Sequence, residues 1–175
     1  MRHENTFHIQ LLITVSPIKI KAMTQLKKGD PAPLFEGKDQ KGNLISLKNL
    51  TGKKIILYFY PKDMTPGCTD EACNLRDYHT VLQQKGYEVI GVSADDERSH
   101  EKFAEKHQLP FPLIADTEKK IIKAYGVWGT KTKGGKTYEG IIRTTFVIDE
   151  KGCIAGIITE VDTKHHAEQI LKLFT

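Results

Sequence analysis

Cysteine is scarce in this chain of 175 residues, with three in all at positions 68, 73 and 153. An odd count leaves at least one thiol unpaired, and three are too few for a disulfide-stapled secreted scaffold. No Cys-x-x-Cys pair occurs, which argues against a thioredoxin-type disulfide reductase and against structural zinc. No apolar run approaches the ~20 residues that a transmembrane helix needs. Charge of one sign is missing too. There are 26 Lys and Arg against 22 Asp and Glu, a net charge of +4. Residues 1–22 carry Arg2, Lys19 and Lys21 against Glu4, leaving 23 basic and 21 acidic residues in the rest. Nucleic-acid binding favours a clustered basic face, which so even a balance does not supply. What remains, 39% hydrophobic and 27% charged, is the composition of one ordinary globular domain.

Residues 1–22 stand apart. Their apolar stretch, Ile9 to Val15, is short, and Lys19 and Lys21 interrupt the approach to Ala22. A secretory signal wants a basic start, a longer apolar run and a small-residue cleavage site. The segment therefore reads as an extension outside a domain spanning 23–175. Within that domain, residues 34–47 predict a hairpin around Lys41-Gly42-Asn43. The run Ile55 to Tyr60 predicts a central strand buried on both faces. Cys68, Ala72, Leu75, Tyr78 and Leu82 recur at helical spacing and predict one helix ending at Gly86. Further strands are expected over 87–93, 111–115, 141–149 and 153–159, the last two as a hairpin. Helices are expected over 95–107, 118–125 and 164–174, with 130–140 a loop or irregular hairpin. The order predicts a three-layer α/β sandwich with a mixed sheet.

The chemistry concentrates between residues 61 and 76. Thr65 has the character of an N-cap and Pro66 of a first helical residue. Cys68 then falls in the first turn, where free backbone amides and the helix dipole favour an anion. A hydrogen bond from the Thr65 hydroxyl would add to this. Charging most of a thiol at neutral pH means lowering an ordinary pKa of ~8.5 to about 6, or ~3.4 kcal/mol. A helix terminus typically supplies ~0.3–1 kcal/mol. A cation must contribute the rest. Lys62 is near in sequence, but Arg143 is the better candidate, because it interrupts a β-branched strand and carries a rigid donor fork. The second thiol, Cys73, lies five residues on. Helical Cα atoms at that spacing are ~8.6 Å apart, beyond the ~7 Å limit for a disulfide. A bond between the two requires the segment to unwind.

Pro61-Lys-Asp-Met-Thr65-Pro-Gly-Cys68-Thr-Asp-Glu71 resembles the Pro-x-x-x-Thr-x-x-Cys-x-x-Glu signature of peroxiredoxins. Cys73, the segment Arg143 to Asp149, Tyr125-Gly-Val-Trp-Gly129 and Gly135-Lys-Thr-Tyr138 are similar to the bacterioferritin comigratory (type Q) subgroup. The resemblance runs from about Met23 to the C-terminus. It implies a thioredoxin-like fold and a thiol peroxidase acting on hydrogen peroxide and organic hydroperoxides without cofactor or metal. Cys68 would be the peroxidatic nucleophile, with Thr65 and Arg143 holding the thiolate and the peroxide oxygens. Pro61 would shield the sulfenic acid and Glu71 would orient Arg143. Cys73 would be the resolving cysteine, its disulfide reduced by thioredoxin or a similar dithiol. A cytoplasmic monomer is expected, with neither nucleic acid nor membrane as partner. Two other readings stand beside this one: a glutathione-peroxidase-like enzyme, and a non-catalytic thiol sensor.

Overall fold

A computed structural model describes residues 24–174; the 1–22 extension lies outside the described residues. The apolar run over Lys54–Phe59 forms strand β3, at the centre of a five-stranded sheet. Leu57, Tyr58, Phe59 and Tyr60 are fully buried, each apolar side chain contributing roughly 1.5–3 kcal/mol on burial. Before it come β1 (Glu36–Lys38) and β2 (Leu44–Ser46), the antiparallel hairpin expected near the N-terminus. β4 (Tyr87–Ser93) and β5 (Leu113–Ala115) continue the sheet in parallel on one side of β3. β8 (Thr144–Ile148) and β9 (Ile154–Ile158) continue it antiparallel on the other. The spatial order is β5-β4-β3-β8-β9.

Alternate side chains of β3 serve opposite faces, as the period of two requires. Ile56, Tyr58 and Tyr60 pack with α1 (Pro66–Asp77), α2 (His79–Gln84), α3 (Glu97–His107) and α5 (His166–Lys172). Ile55, Leu57 and Phe59 pack with α4 (Lys120–Ala124), Phe35, Leu47 and Phe146. The result is the mixed three-layer sandwich of thioredoxin-like proteins. No helix among the described residues is long and apolar enough to cross a membrane.

Three boundaries differ from the sequence reading. The single helix expected to Gly86 is broken at Tyr78, whose backbone (φ −94°, ψ 2°) leaves helical geometry between α1 and α2. Its apolar face survives, because Leu75 and Leu82 are still fully buried on one side. Residues 130–140 belong to a regular antiparallel hairpin, β6 (Trp128–Lys133) and β7 (Lys136–Ile141). Gly134 and Gly135 turn it with φ of 58° and 76°, the positive pair that a two-residue hairpin turn demands. The strand expected over 141–149 is divided, with Ile141 ending β7 and Thr144 starting β8. Arg143 occupies the joint. Periodicity cannot reveal this break, because residues on both sides are buried and β-branched.

Candidate active site

Strand order brings the site together. β3 runs out at Phe59, which pairs with Thr144 at the start of antiparallel β8. The loop leaving β3 and the residue entering β8 therefore meet at one edge. Pro61, partly buried, opens that loop. Thr65 caps α1 with extended backbone, and Pro66 takes the first turn, as the sequence suggested. The Thr65 hydroxyl does not cap the helix through its side chain or reach the thiol. It donates to the Lys62 carbonyl at 2.8 Å, so it braces the loop rather than stabilising a thiolate directly.

Cys68 is buried in the first turn of α1, at 1% exposure. Arg143 reaches it from the opposite element, with Nη2 donating to Sγ at 3.1 Å. The same guanidinium donates through Nη1 to Glu71 Oε2, which is fully buried. One planar fork thus addresses a sulfur and a carboxylate at once, a geometry an ammonium cannot reproduce. Burial pushes the Glu71 carboxyl up to about 7, against the pull of Arg143. Burial also works against the charge of Arg143, yet Glu71 and Cys68 together raise its pKa. Lys62, the rival cation, is exposed.

Several residues here carried no usable sequence signal. His166 is wholly buried, its Nε2 2.8 Å from the Thr145 hydroxyl and 3.6 Å from Glu71 Oε1. Gln169 Oε1 accepts from the Asp162 amide and lies 3.1 Å from His166 Nδ1, so Nδ1 must donate and Nε2 must accept. Burial lowers the His166 pKa to about 4, so the contact with Glu71 is not an ion pair at neutral pH. A neighbouring pair of histidines at a helix start gives no hint of this.

Asp63 is likewise unmarked by sequence, one residue among the others of the motif. Its buried carboxylate accepts from Tyr60 Oη at 2.7 Å and Ser99 Oγ at 2.7 Å, and meets His100 Nδ1 at 2.8 Å. Its amide donates to Asp95 Oδ2 at 2.9 Å. This network fixes the loop, in which Met64 is held at φ 62°, a conformation costly for a residue with a side chain.

Above Arg143 lies a shallow cleft of about 330 Å³, lined by Thr130, Lys131, Ile142, Arg143 and Thr159. Lys131, placed by the hairpin, donates to the Ile141 carbonyl at 3.0 Å. Burial and the charge of Arg143 lower its pKa, with Cys68 opposing. Depressions of about 350 Å³ beside Leu47 and about 420 Å³ beside Leu109 have no cysteine in their linings.

Cys73 sits partly buried in the same helix as Cys68, and all three cysteines are free thiols. Cys153 is partly buried and bridges through its backbone to Pro31. The only described cluster with metal-ligand geometry is Asp63, Asp95 and His100. Their polar atoms already satisfy one another and the loop, so nothing there calls for an ion.

Comparison with known proteins places the chain in a family. Residues 28–157 match the AhpC/TSA family model. Peroxiredoxin Bcp of Bacillus subtilis is 46% identical over 144 residues, covering 82% of this chain and 92% of that protein. The peroxidoxin BcpB structure from Mycobacterium tuberculosis superposes with a TM-score of 0.75 at 35% identity, covering 85% of this chain and 96% of that one. The bacterioferritin comigratory protein of Xanthomonas campestris, whose structures address alkyl peroxide reduction, gives 0.76 at 30% identity, covering 86% and 96%.

Proposed function

The chain belongs to the AhpC/TSA family as a peroxiredoxin of the Bcp type, and we propose on that premise that Cys68 is its peroxidatic nucleophile and Cys73 its resolving thiol. The protein is a thiol-dependent peroxidase acting on peroxides. One observation carries the assignment of Cys68: a buried thiol in a helix's first turn, with an arginine nitrogen 3.1 Å from its sulfur.

In the first step the Cys68 thiolate attacks one peroxide oxygen. An S–O bond forms, the O–O bond breaks, and the departing oxygen leaves as alkoxide or hydroxide and takes up a proton. Arg143 faces the sulfur and the charge that develops beside it, where a fixed donor contributes most. Glu71 holds Arg143 in register, Thr65 and Pro61 shape the loop, and the cleft beside Lys131 admits the peroxide. In the second step Cys73 attacks the Cys68 sulfenic acid and hydroxide leaves. Because both thiols sit in one helix, α1 opens for this bond to form. A thioredoxin-type dithiol then reduces the disulfide. We propose a monomer, since a resolving thiol within the chain makes a second subunit unnecessary, and a reducing compartment such as the cytoplasm, where thiol chemistry of this kind cycles.

Rapid mixing with hydrogen peroxide tests the assignment. Stoichiometric loss of the Cys68 thiol should precede a Cys68–Cys73 disulfide seen by mass spectrometry. Thioredoxin, its reductase and NADPH should then sustain turnover. Oxidation that stalls after one equivalent with all three present would favour the sensor reading. Cys73→Ser should keep the first oxidation and lose the internal disulfide; a disulfide that still forms would remove Cys73 from the mechanism.

A further inference from the structure

Cys73 has an environment of its own, which the peroxide step does not use. Its Sγ lies 3.9 Å from Nδ1 of His107, the last residue of α3. Arg76, one turn further along α1 and on the same face as Cys73, donates through Nη1 to the His107 carbonyl at 2.8 Å. The guanidinium thereby ties the end of α3 to the helix that carries the thiol. The His107 ring also packs edge-on against Phe103, with centroids 5.2 Å apart and planes at 74°. Phe103 is fully buried, so the imidazole is held from beneath.

From this cluster we infer that His107 is the base that takes the Cys73 proton, and that Arg76 is a positioning residue that holds the ring and steadies the sulfur anion. The inference rests on Cys73 being the resolving thiol.

The charge balance around the ring supports the role. Partial burial, then Lys106 and Arg76, lower the His107 pKa, so the imidazole is neutral and able to accept at neutral pH. Asp77 is the other charge on this face. It pairs with Arg76 at 2.8 Å but is largely solvated, so it offsets the guanidinium only in part. The Arg76 pKa is itself raised by Asp77 first, against burial, with the Cys73 sulfur adding to it.

The step balances within the chain. The Cys73 S–H proton passes to His107 Nδ1 while α1 is still folded. When the segment opens it presents an ionised sulfur, and the thiolate is the form that attacks. The new S–S bond forms, the Cys68 S–O bond breaks, and the departing hydroxide takes up a proton to become water. An ordinary thiol is only a few per cent ionised at neutral pH, so a dedicated base has a step to accelerate.

Single-turnover oxidation by one equivalent of hydrogen peroxide, quenched and read by mass spectrometry, tests this. In His107→Gln, Cys68 oxidation should keep its rate while disulfide formation slows about tenfold near neutral pH. Sulfenic acid should accumulate, trappable by dimedone. Imidazole added to His107→Ala should restore the lost rate, which a merely structural role would not allow. Arg76→Met should slow the same step, and Arg76→Lys should recover part of it. In the wild type the step should slow as acid protonates His107; in His107→Gln the acid limb should move up to the range of an ordinary thiol. Wild-type resolution rates in His107→Gln from about pH 5 to about pH 9 would overturn the inference and leave the Cys73 assignment standing. A disulfide that survives Cys73→Ser would sink both.

Discussion

Arg143 faces two partners whose demands differ, and the difference sets what its removal should do. Arg143→Ala takes the donor from Cys68 and strands Glu71 in the interior. Loss of one fixed donor beside developing charge costs about 10²–10³ in rate. Stopped-flow measurement of Cys68 oxidation should show a loss of that order. Arg143→Lys should recover little of it, because one ammonium cannot span sulfur and carboxylate in the same plane. Stability should suffer less, by about 1–3 kcal/mol, because Glu71 already titrates at about 7 and can take a proton. The sign follows from the raised pKa: protonated, the stranded carboxyl is tolerated, and as pH rises past its folded pKa the deficit grows. Urea unfolding of Arg143→Ala at several pH values checks this, and a deficit that shrinks as pH rises would contradict it.

Among the elements, α1 does the most, since its first turn serves the thiol and its last turns are tethered elsewhere. Asn74 follows Cys73 directly and is fastened to the start of α5. It donates to the Lys164 carbonyl at 2.9 Å and accepts from the Ala167 amide at 2.7 Å. Tyr78 adds a bond to Glu168 at 2.9 Å. These bonds oppose the opening that a Cys68–Cys73 disulfide requires. Asn74→Ala should therefore speed disulfide formation severalfold and raise amide exchange over 69–74. Unchanged exchange would mean that opening ends before Asn74. The loop ahead of α1 behaves oppositely, because its network holds Met64 in left-handed backbone. Asp63→Ala leaves Tyr60, Ser99 and His100 without their shared acceptor. It should cost about 3 kcal/mol by urea titration and also slow Cys68 oxidation, since Pro61 and Thr65 lose their frame. A stability loss with the oxidation rate intact would separate the network from the site.

At the scale of the molecule, the acid response should reflect two buried groups that act in opposite directions, His166 and Glu71. The folded pKa of His166, about 4, lies below the ordinary 6.5. Its contribution is therefore fully present above about 6.5 and is lost as pH falls toward about 4, roughly 3 kcal/mol in all. Glu71 works the other way over part of that range, because its raised pKa favours the folded state as it gains a proton. The difference between wild type and His166→Leu isolates the histidine: as pH falls from about 7 to about 4.5, the variant's urea midpoint should rise relative to that of the wild type, because Glu71 is left unopposed, and an identical pH dependence in the two would exclude the histidine. The same contrast between local and long-range terms marks what was legible in the chain. Sequence alone determined the central strand, the Thr65-Pro66 helix start, the placing of Cys68 in a first turn and the need for Cys68 and Cys73 to unwind. Each depends on spacing within a few residues, where helix and strand periods act directly. The energy deficit at Cys68 pointed to a distant cation, yet only the sheet order decided that Arg143 meets it, through the pairing of Phe59 with Thr144. His166 beside Glu71, His100 beneath Asp63 and His107 beside Cys73 were decided by the tertiary structure too. Their partners lie tens of residues away, and a titratable side chain declares its role only once folding has chosen its neighbours and taken its water away.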